Sequence, residues 1–222
     1  MTIRYAFLSD IHGRRHKLEA VLADAQARGA TSFFSLGDVG GDDCLALLRQ
    51  VGARAVLGNY EVSGWRQLSP RGRDWVRTWP PLLAADDFLA VHAVPWLPDG
   101  LHSVVDLGAW LKRTGSSWRT LFPYLNETEA LRWRALAELE EQGKAVLFHG
   151  HTHRQEIWRW QPAGRLARVA GPGDSLVAGH RYLVGVGSVG LPEDGAWAAY
   201  TLYDASQCRI ELIRLAPPAP RP

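Results

Sequence analysis

Short apolar runs alternate with amphipathic stretches through the first third of the chain. Residues 3–8, 32–36 and 53–57 are apolar-rich runs of strand length, and a polar residue follows each of them closely. Between these runs, residues 16–28 and 42–50 carry leucine and other apolar side chains at helical spacing, with a glycine soon after each stretch. The alternation predicts βαβ units.

The pattern changes in the second half of the chain. Residues 88–94 and 145–148 are typical of buried strands, and residues 127–142 of a helix that lies between them. From there on, short β-type runs separated by turn residues follow one another, near 156–160, 166–170, 182–186, 197–203 and 209–213. We therefore expect mixed sheets, α/β at the start and nearly all-β at the end.

The chain has the length of one domain. We expect a single domain over residues 1–215 of the 222 residues. Residues 64–126 are irregular and rich in tryptophan, which predicts an insertion or cap whose indole rings pack in its interior. The proline-rich residues 216–222 are expected to be a disordered tail.

Composition and charge exclude several classes of function. Hydrophobic residues make up 46% of the chain and charged residues 22%, which excludes a disordered chain. A net charge of +2 argues against a nucleic-acid partner. No apolar stretch is long enough to cross a membrane, the two cysteines form no disulfide framework, and the chain starts directly in a strand pattern. We expect a cytoplasmic protein that acts on a small substrate, with homo-oligomer formation left open.

Polar side chains able to bind metal follow the ends of the predicted strands. In open α/β sheets ligands bind beyond the carboxyl ends of the strands. An extended backbone would point both members of an i, i+2 pair the same way. The residues concerned are Asp10, His12, Asp38, Asn59, His92, His151 and His153.

This set of ligands is too large for one cation. Shared between two ions through Asp38, it predicts two divalent transition-metal ions, with Mn the first choice and Fe, Zn or Ni as alternatives. Imidazole ligands argue against a site for Mg or Ca alone. Two ions about 3.5–4 Å apart can clamp both oxygens of an in-line displacement at phosphorus. The residues therefore indicate metal-assisted phosphoester hydrolysis.

Four motifs in this order resemble those of the calcineurin-like metallophosphoesterase family, in particular its small bacterial phosphodiesterase-like branch. The motifs are Asp10-Ile-His12, Gly37-Asp38-Val-Gly-Gly41, Gly58-Asn59-Tyr60-Glu61 and Gly150-His151-Thr-His153. The stretches Leu8-Ser-Asp-Ile-His-Gly13 and Gly187-Ser-Val-Gly-Leu-Pro-Glu-Asp-Gly195 are also typical of that branch. The similarity covers residues 3–62, 88–94 and 145–204.

The resemblance implies a fold and a division of the ligands. The fold is a four-layer αββα sandwich, in which two mixed sheets are flanked by helices. The division assigns Asp10, His12, Asp38 and His153 to one ion, and Asp38, Asn59, His92 and His151 to the other.

One position departs from the family pattern. The family usually has histidine where this chain has Tyr60. A phenol donates a hydrogen bond but is not a cation at neutral pH, so Tyr60 is assigned to catalysis together with Asp38. Asn59 and Arg14 are predicted to contact the substrate phosphate, although Arg14 equally fits a solvated helix start. Glu61 is expected either to orient a neighbouring side chain or to cap a helix.

The predicted reaction is hydrolysis of a phosphodiester or a dinucleoside polyphosphate, in which a hydroxide that bridges the ions attacks phosphorus. Two alternatives stay open. One is a phosphatase acting on phosphoserine or phosphothreonine in proteins, and the other is a non-catalytic scaffold of the same fold.

Overall fold

Helices and strands alternate at the start of the chain and strands dominate its end, as the sequence pattern predicts. The structure, a computed structural model, describes residues 3–85 and 87–218. Its strands are β1 Arg4–Leu8, β2 Ser32–Ser35, β3 Arg54–Ala55, β4 Leu82–Ala84, β5 Phe88–Val91, β6 Val146–His149, β7 Gln155–Gln161, β8 Arg165–Arg168, β9 Gly173–Ser175, β10 Arg181–Val186, β11 Ala198–Asp204 and β12 Arg209–Leu215. Its α-helices are α1 Arg15–Ala27, α2 Asp42–Gln50, α3 Asn59–Gly64, α4 Pro70–Val76, α5 Val104–Thr114, α6 Trp118–Leu121 and α7 Glu129–Glu141, and a 3₁₀ turn covers Trp65–Gln67.

The strands form two mixed sheets. The first has the order β3-β2-β1-β11-β12-β9, and the second has the order β4-β5-β6-β10-β7-β8. In the first sheet β1, β2 and β3 are parallel, and in the second β5, β6 and β10 are parallel. The remaining neighbours in both sheets pair antiparallel.

Alternating side chains of β1 explain how the layers are stacked. Ala6 and Leu8 belong to the core cluster between the first sheet and its helices, which include α1 and α2. Phe7 points the other way, into the core between the two sheets. There its ring stacks on Phe148 of β6, with 3.9 Å between the ring centroids.

A third cluster completes the sandwich on the far side. Leu147 of β6 packs there with Leu136 and Leu139 of α7. The order is therefore helices, first sheet, second sheet and helix, and the predicted four-layer αββα fold is confirmed.

The segment 64–126 is more regular than its sequence pattern indicates. It contains helices α4, α5 and α6, and strands β4 and β5 lie at the edge of the second sheet. Helix α5 has clear end signals, because Ser103 accepts a hydrogen bond from the Asp106 N–H at its start and Gly115 adopts a φ of 65° at its end. The interpretation of this segment as irregular is therefore wrong, because it contains three α-helices.

Two shorter segments complete the description. Residues 173–175 form the short strand β9, which pairs with β12. Residues 216–218 of the predicted tail are exposed and have no regular structure, and residues 219–222 lie outside the described residues. Among the described residues, helices of the length and hydropathy needed to span a membrane are absent.

Candidate metal centre

The predicted ligands lie in loops that follow parallel strands, at one edge of the two sheets. Asp10 and His12 follow β1, Asp38 follows β2, Asn59 follows β3, His92 follows β5, and His151 and His153 follow β6. Each of the seven has a polar side-chain atom within 3.9 Å of such an atom in another member of the set. The structure thus brings together residues that are up to 143 positions apart in sequence.

The backbone that presents five of these seven side chains is left-handed rather than extended. Asp10, His12, Asp38, His151 and His153 have φ values of 53°, 49°, 55°, 63° and 55°. The expectation that an extended backbone aligns the i, i+2 pairs is therefore wrong. A left-handed conformation costs a non-glycine residue about 1–2 kcal/mol, and such strain clusters at functional sites.

Hydrogen bonds between the loops hold this strained backbone. The Asp10 N–H donates to the Gly37 carbonyl over 3.1 Å, and the His12 N–H donates to the Asp38 carbonyl over 3.0 Å. Gly37 has a φ of 88°, and a Cβ atom there would collide with the backbone of Gly58. The loops after β1, β2 and β3 therefore pack backbone against backbone, which brings their side chains to one point.

Asp10, His12 and His153 form one half of the cluster. Nε2 of His12 lies 3.2 Å from Nε2 of His153, and Nε2 of His153 lies 3.3 Å from Oδ1 of Asp10. The second carboxylate oxygen of Asp10 accepts a hydrogen bond from the backbone N–H of His151 over 2.9 Å. This leaves Oδ1 buried and without a hydrogen-bond partner of good geometry among the described residues.

Asp38, Asn59, His92 and His151 form the other half. Nε2 of His92 lies 3.0 Å from Oδ1 of Asn59, 3.1 Å from Nδ1 of His151 and 3.5 Å from Oδ1 of Asp38. Oδ2 of Asp38 lies 3.9 Å from Nε2 of His12, so the two halves adjoin at Asp38. Asp10 also reaches both halves, because one of its carboxylate oxygens lies within 4.8 Å of ligand atoms of Asp38 and His92.

Two backbone carbonyls determine which imidazole nitrogens face the centre. Nδ1 of His92 lies 2.7 Å from the Leu36 carbonyl, and Nδ1 of His153 lies 2.8 Å from the Leu191 carbonyl. A carbonyl only accepts, so each Nδ1 carries a proton and donates it. In the neutral ring, Nε2 then presents a lone pair to the cluster. Histidines that bind metal are oriented in this way.

The charges of the cluster also fit cations. Burial raises the pKa of Asp38, and the neighbouring Asp10 carboxylate raises it further. Burial would also raise the pKa of Asp10, but its contact with His153 and the charges of His92 and His153 outweigh that effect and lower it. For His153, burial opposes a charge, yet the Asp10 carboxylate raises its pKa to about 9. Without metal, the acidic pair is thus compensated by a proton on His153.

Two other histidines of the cluster, His12 and His151, have lowered pKa values, and both shifts favour the neutral, metal-binding form. Burial is the main cause that lowers the pKa of His12 to about 4, and the charges of His153, His92 and Arg14 lower it further. Burial also lowers the pKa of His151 to about 3. The buried oxygen of Asp10, the inward lone pairs and these neutral rings together fit divalent ions bound by N and O ligands.

Glu61 has both of the roles expected for it, since it orients a neighbouring loop and caps a helix. Its buried carboxylate accepts hydrogen bonds from the backbone N–H groups of Asp38, Val39 and Gly58, at 2.8, 2.9 and 2.8 Å. The bond to Gly58 caps α3, and the other two orient the loop that carries Asp38. Burial and the charge of Asp38 raise the pKa of Glu61 to about 7.

Tyr60 and Arg14 lie at the rim of the cluster. The Tyr60 side chain is 52% exposed, and its ring meets the His12 ring edge to face with 5.3 Å between centroids. Its backbone N–H donates to Oδ1 of Asp38 over 2.7 Å. Arg14 is exposed and precedes α1. The catalytic assignment of Tyr60 and the substrate assignment of Arg14 stay predictions.

Three aromatic residues around His151 were not predicted from the sequence to lie at the site. Tyr124 stacks on the His151 ring with 4.2 Å between centroids and 17° between planes. Trp118 meets the same ring edge to face at 5.6 Å, and Phe122 lies 5.7 Å from the His92 ring. All three come from segment 64–126, where no motif marks them, and its richness in aromatic residues is the one signal that pointed there.

Comparison with protein families gives a match over most of the chain. Residues 3–207 match the family model described as the calcineurin-like phosphoesterase superfamily domain. The chain is 26% identical over 245 aligned residues to the uncharacterized protein MJ0912 of Methanocaldococcus jannaschii, which covers 95% of this chain and 86% of the relative.

Solved structures show the same fold. A metallophosphoesterase from Sphaerobacter thermophilus aligns with a TM-score of 0.74 and 22% identity, over 97% of this chain and 88% of that one. A structure described as a novel archaeal phosphodiesterase aligns with a TM-score of 0.53 and 10% identity, over 96% of this chain and 100% of that one.

Proposed function

We propose a function from one established premise, which is that the chain belongs to the calcineurin-like phosphoesterase superfamily. The protein hydrolyses a phosphodiester or a dinucleoside polyphosphate with the help of two divalent metal ions. The observation that carries this proposal is the single cluster of two carboxylates, one amide and four imidazoles, joined by contacts of 3.9 Å or less.

The ligand chemistry supports transition metals. The mixed set of imidazole, carboxylate and amide ligands suits Mn, Fe, Zn or Ni, whereas Mg and Ca prefer shells of oxygen ligands alone. Asp10, His12 and His153 would hold one ion, His92, Asn59 and His151 the other, and Asp38 would contact both because it lies between the two halves. We assign Mn as the first choice, with Fe, Zn or Ni as alternatives.

The chain supplies positioning and charge around the reacting phosphate. When bound, the ions activate a water molecule and neutralise charge on the phosphoryl oxygens. Asn59, whose amide oxygen lies 3.0 Å from Nε2 of His92, is assigned to substrate contact as well, and the exposed Arg14 guanidinium offers a bidentate hydrogen bond to a phosphate. The Tyr60 hydroxyl donates a hydrogen bond to the departing alkoxide oxygen. Burial of Asp10 and Asp38 excludes water that would weaken these interactions.

Hydrolysis of chromogenic esters tests the proposal. We expect the Mn²⁺-loaded protein to hydrolyse bis(p-nitrophenyl) phosphate and to be much less active on p-nitrophenyl phosphate. Asp38→Asn should lower the diester rate at least about 100-fold, because it removes the charge shared by the two halves. The matched control is Asp99→Asn, at an exposed aspartate away from the cluster.

Other outcomes of these hydrolysis assays would favour one of the two alternative functions. A preference for the monoester and for phosphorylated peptides would indicate a protein phosphatase. Failure to hydrolyse any ester, together with unchanged metal content in Asp38→Asn, would indicate a non-catalytic scaffold. Cytoplasmic location and self-association stay predictions.

A further inference from the structure

A cavity of about 360 Å³ opens directly beside His12, which is one of its lining residues. This volume is in the range of pockets that hold small organic ligands. Its walls consist of backbone, aromatic and aliphatic groups, together with the side-chain amide of Gln67. They are formed by His12, Gly13, Gly40, Gly41, Asp42, Tyr60, Glu61, Gly64, Trp65, Gln67 and Leu68, which we call the His12 pocket.

The ionised groups of the His12 pocket are already engaged. The Asp42 carboxylate accepts hydrogen bonds from the backbone N–H and the hydroxyl of Ser69, at 2.8 and 2.7 Å. The Glu61 carboxylate is bound to three backbone N–H groups. Lysine and arginine are absent from the described residues that line the pocket. The pocket therefore suits an uncharged group and gives no counter-charge to a second phosphate.

Two aromatic rings shape the His12 pocket. Tyr60 is held edge to face against His12, with 5.3 Å between centroids. Trp65 is half-buried against the helix-side core, and the Arg77 guanidinium lies over its ring at 5.0 Å from the centroid. These contacts restrict both rings before a ligand arrives, which reduces the conformational entropy lost when a flat group stacks there.

We infer that the His12 pocket binds the nucleobase of a nucleotide whose phosphate lies at the metal centre, an inference that rests on the proposed function. A base is flat and uncharged and stacks on aromatic rings without regard to its identity. The exposed Gln67 amide offers a donor and an acceptor to a base edge. The contact between Tyr60 and His12 places the pocket immediately next to the metal cluster, as one nucleotide spanning both would require.

Calorimetric binding to the Mn²⁺-loaded protein tests this inference. Adenosine 5′-monophosphate and ribose 5-phosphate share a ribose and a phosphate and differ in the base. We expect adenosine 5′-monophosphate to bind about tenfold more tightly, as the lower range of base stacking predicts. Trp65→Leu should remove most of this preference and leave the affinity for ribose 5-phosphate unchanged. The matched control Trp133→Leu, at a partly exposed tryptophan of α7, should keep the preference.

The results separate this inference from the proposed function. Equal affinities for the two ligands in the unaltered protein, binding of neither, or a preference that survives Trp65→Leu would overturn the nucleobase assignment, even if bis(p-nitrophenyl) phosphate is hydrolysed. A base preference that depends on Trp65, in a protein that hydrolyses no ester, would support the pocket and overturn the hydrolase.

Discussion

His92 and His153 are oriented in the same way although they come from different strands. Each donates its Nδ1 proton to a backbone carbonyl and turns Nε2 towards a side-chain oxygen of another predicted ligand. Without metal, the raised pKa of His153 places a proton between its Nε2 and Asp10. A divalent cation would take the place of that proton, so the side-chain geometry supports metal independently of the family to which the chain belongs.

Tyr60 is the residue where this chain departs from the usual family pattern, and its hydroxyl can be tested alone. Tyr60→Phe keeps the ring against His12 and removes the proton donor. We expect a fall of about 100-fold for a diester with an alkyl leaving group, since general-acid help is worth at least that much. Hydrolysis of bis(p-nitrophenyl) phosphate should change little, because p-nitrophenolate leaves without a proton. Equal losses on both substrates would show that the hydroxyl does not protonate the leaving group.

At the scale of elements, the strands that carry ligands are the part that the sequence predicts best. The runs of β1, β2 and β6 are short, rich in apolar residues and followed by polar residues, so both the strands and the ligand positions after them were predictable. Strands β4 and β9 have three residues each and lie at sheet edges, where pairing rather than periodicity decides the structure. Helix α5 was missed because Val104, Val105 and Gly108 are weak helix formers.

The backbone conformation of the ligand loops was not predictable from the sequence. Left-handed aspartate and histidine residues are uncommon, and in this site hydrogen bonds from the surrounding loops stabilise that backbone conformation. The position of Tyr124 was not predictable either, because its stacking on His151, 27 positions away in the chain, leaves no periodic signal in the sequence. The sequence thus predicts which residues meet but not how the chain presents them.

Glu61 joins the loops after β2 and β3, and its substitution tests that role. Glu61→Gln places an amide group where backbone N–H groups need an acceptor, so at least one of the three bonds is lost. We expect the free energy of unfolding to fall by about 1–3 kcal/mol and Mn²⁺ affinity to fall about 10–100-fold. Urea unfolding and Mn²⁺ titration measure these effects.

Glu19→Gln, at an exposed ion pair, is the control and should change neither the free energy of unfolding nor the Mn²⁺ affinity. Unchanged Mn²⁺ affinity in Glu61→Gln would refute the positioning role.

Tyr124 connects the segment 64–126 to the metal centre. Tyr124→Leu removes the ring that stacks on His151, whereas Tyr124→Phe retains it. An aromatic pair contributes about 0.5–1.5 kcal/mol, so Tyr124→Leu should weaken the binding of one of the two ions about three- to tenfold. Tyr124→Phe should bind both ions as the unaltered protein does. If the two variants bind Mn²⁺ equally well, the stack does not position His151.

At the scale of the whole molecule, the candidate metal centre lies where the two sheets meet. Asp10, His12, Asp38 and Asn59 follow strands of the first sheet, and His92, His151 and His153 follow strands of the second. The aromatic core between the sheets, in which Phe7 stacks on Phe148, lies behind this edge. Ions bound there would link both halves of the sandwich.

This link predicts that metal stabilises the entire fold. A ligand that binds only the folded state at 100 times its Kd adds about 2.7 kcal/mol to the free energy of unfolding. Thermal unfolding of chelator-treated protein should therefore begin at a lower temperature than unfolding with Mn²⁺. Asp38→Asn should show a much smaller increase in Tm with Mn²⁺. An equal Tm with and without Mn²⁺ would show that the ions do not hold the sheets together.

The number of Mn²⁺ ions that the protein binds tests the central claim most directly. Electron paramagnetic resonance of free Mn²⁺, recorded during titration of metal-free protein, counts bound ions without reference to any substrate. The account predicts two ions per chain for the unaltered protein and fewer than two for Asp38→Asn. A protein that binds no Mn²⁺ tightly, or two ions with equal affinity in both proteins, would contradict it.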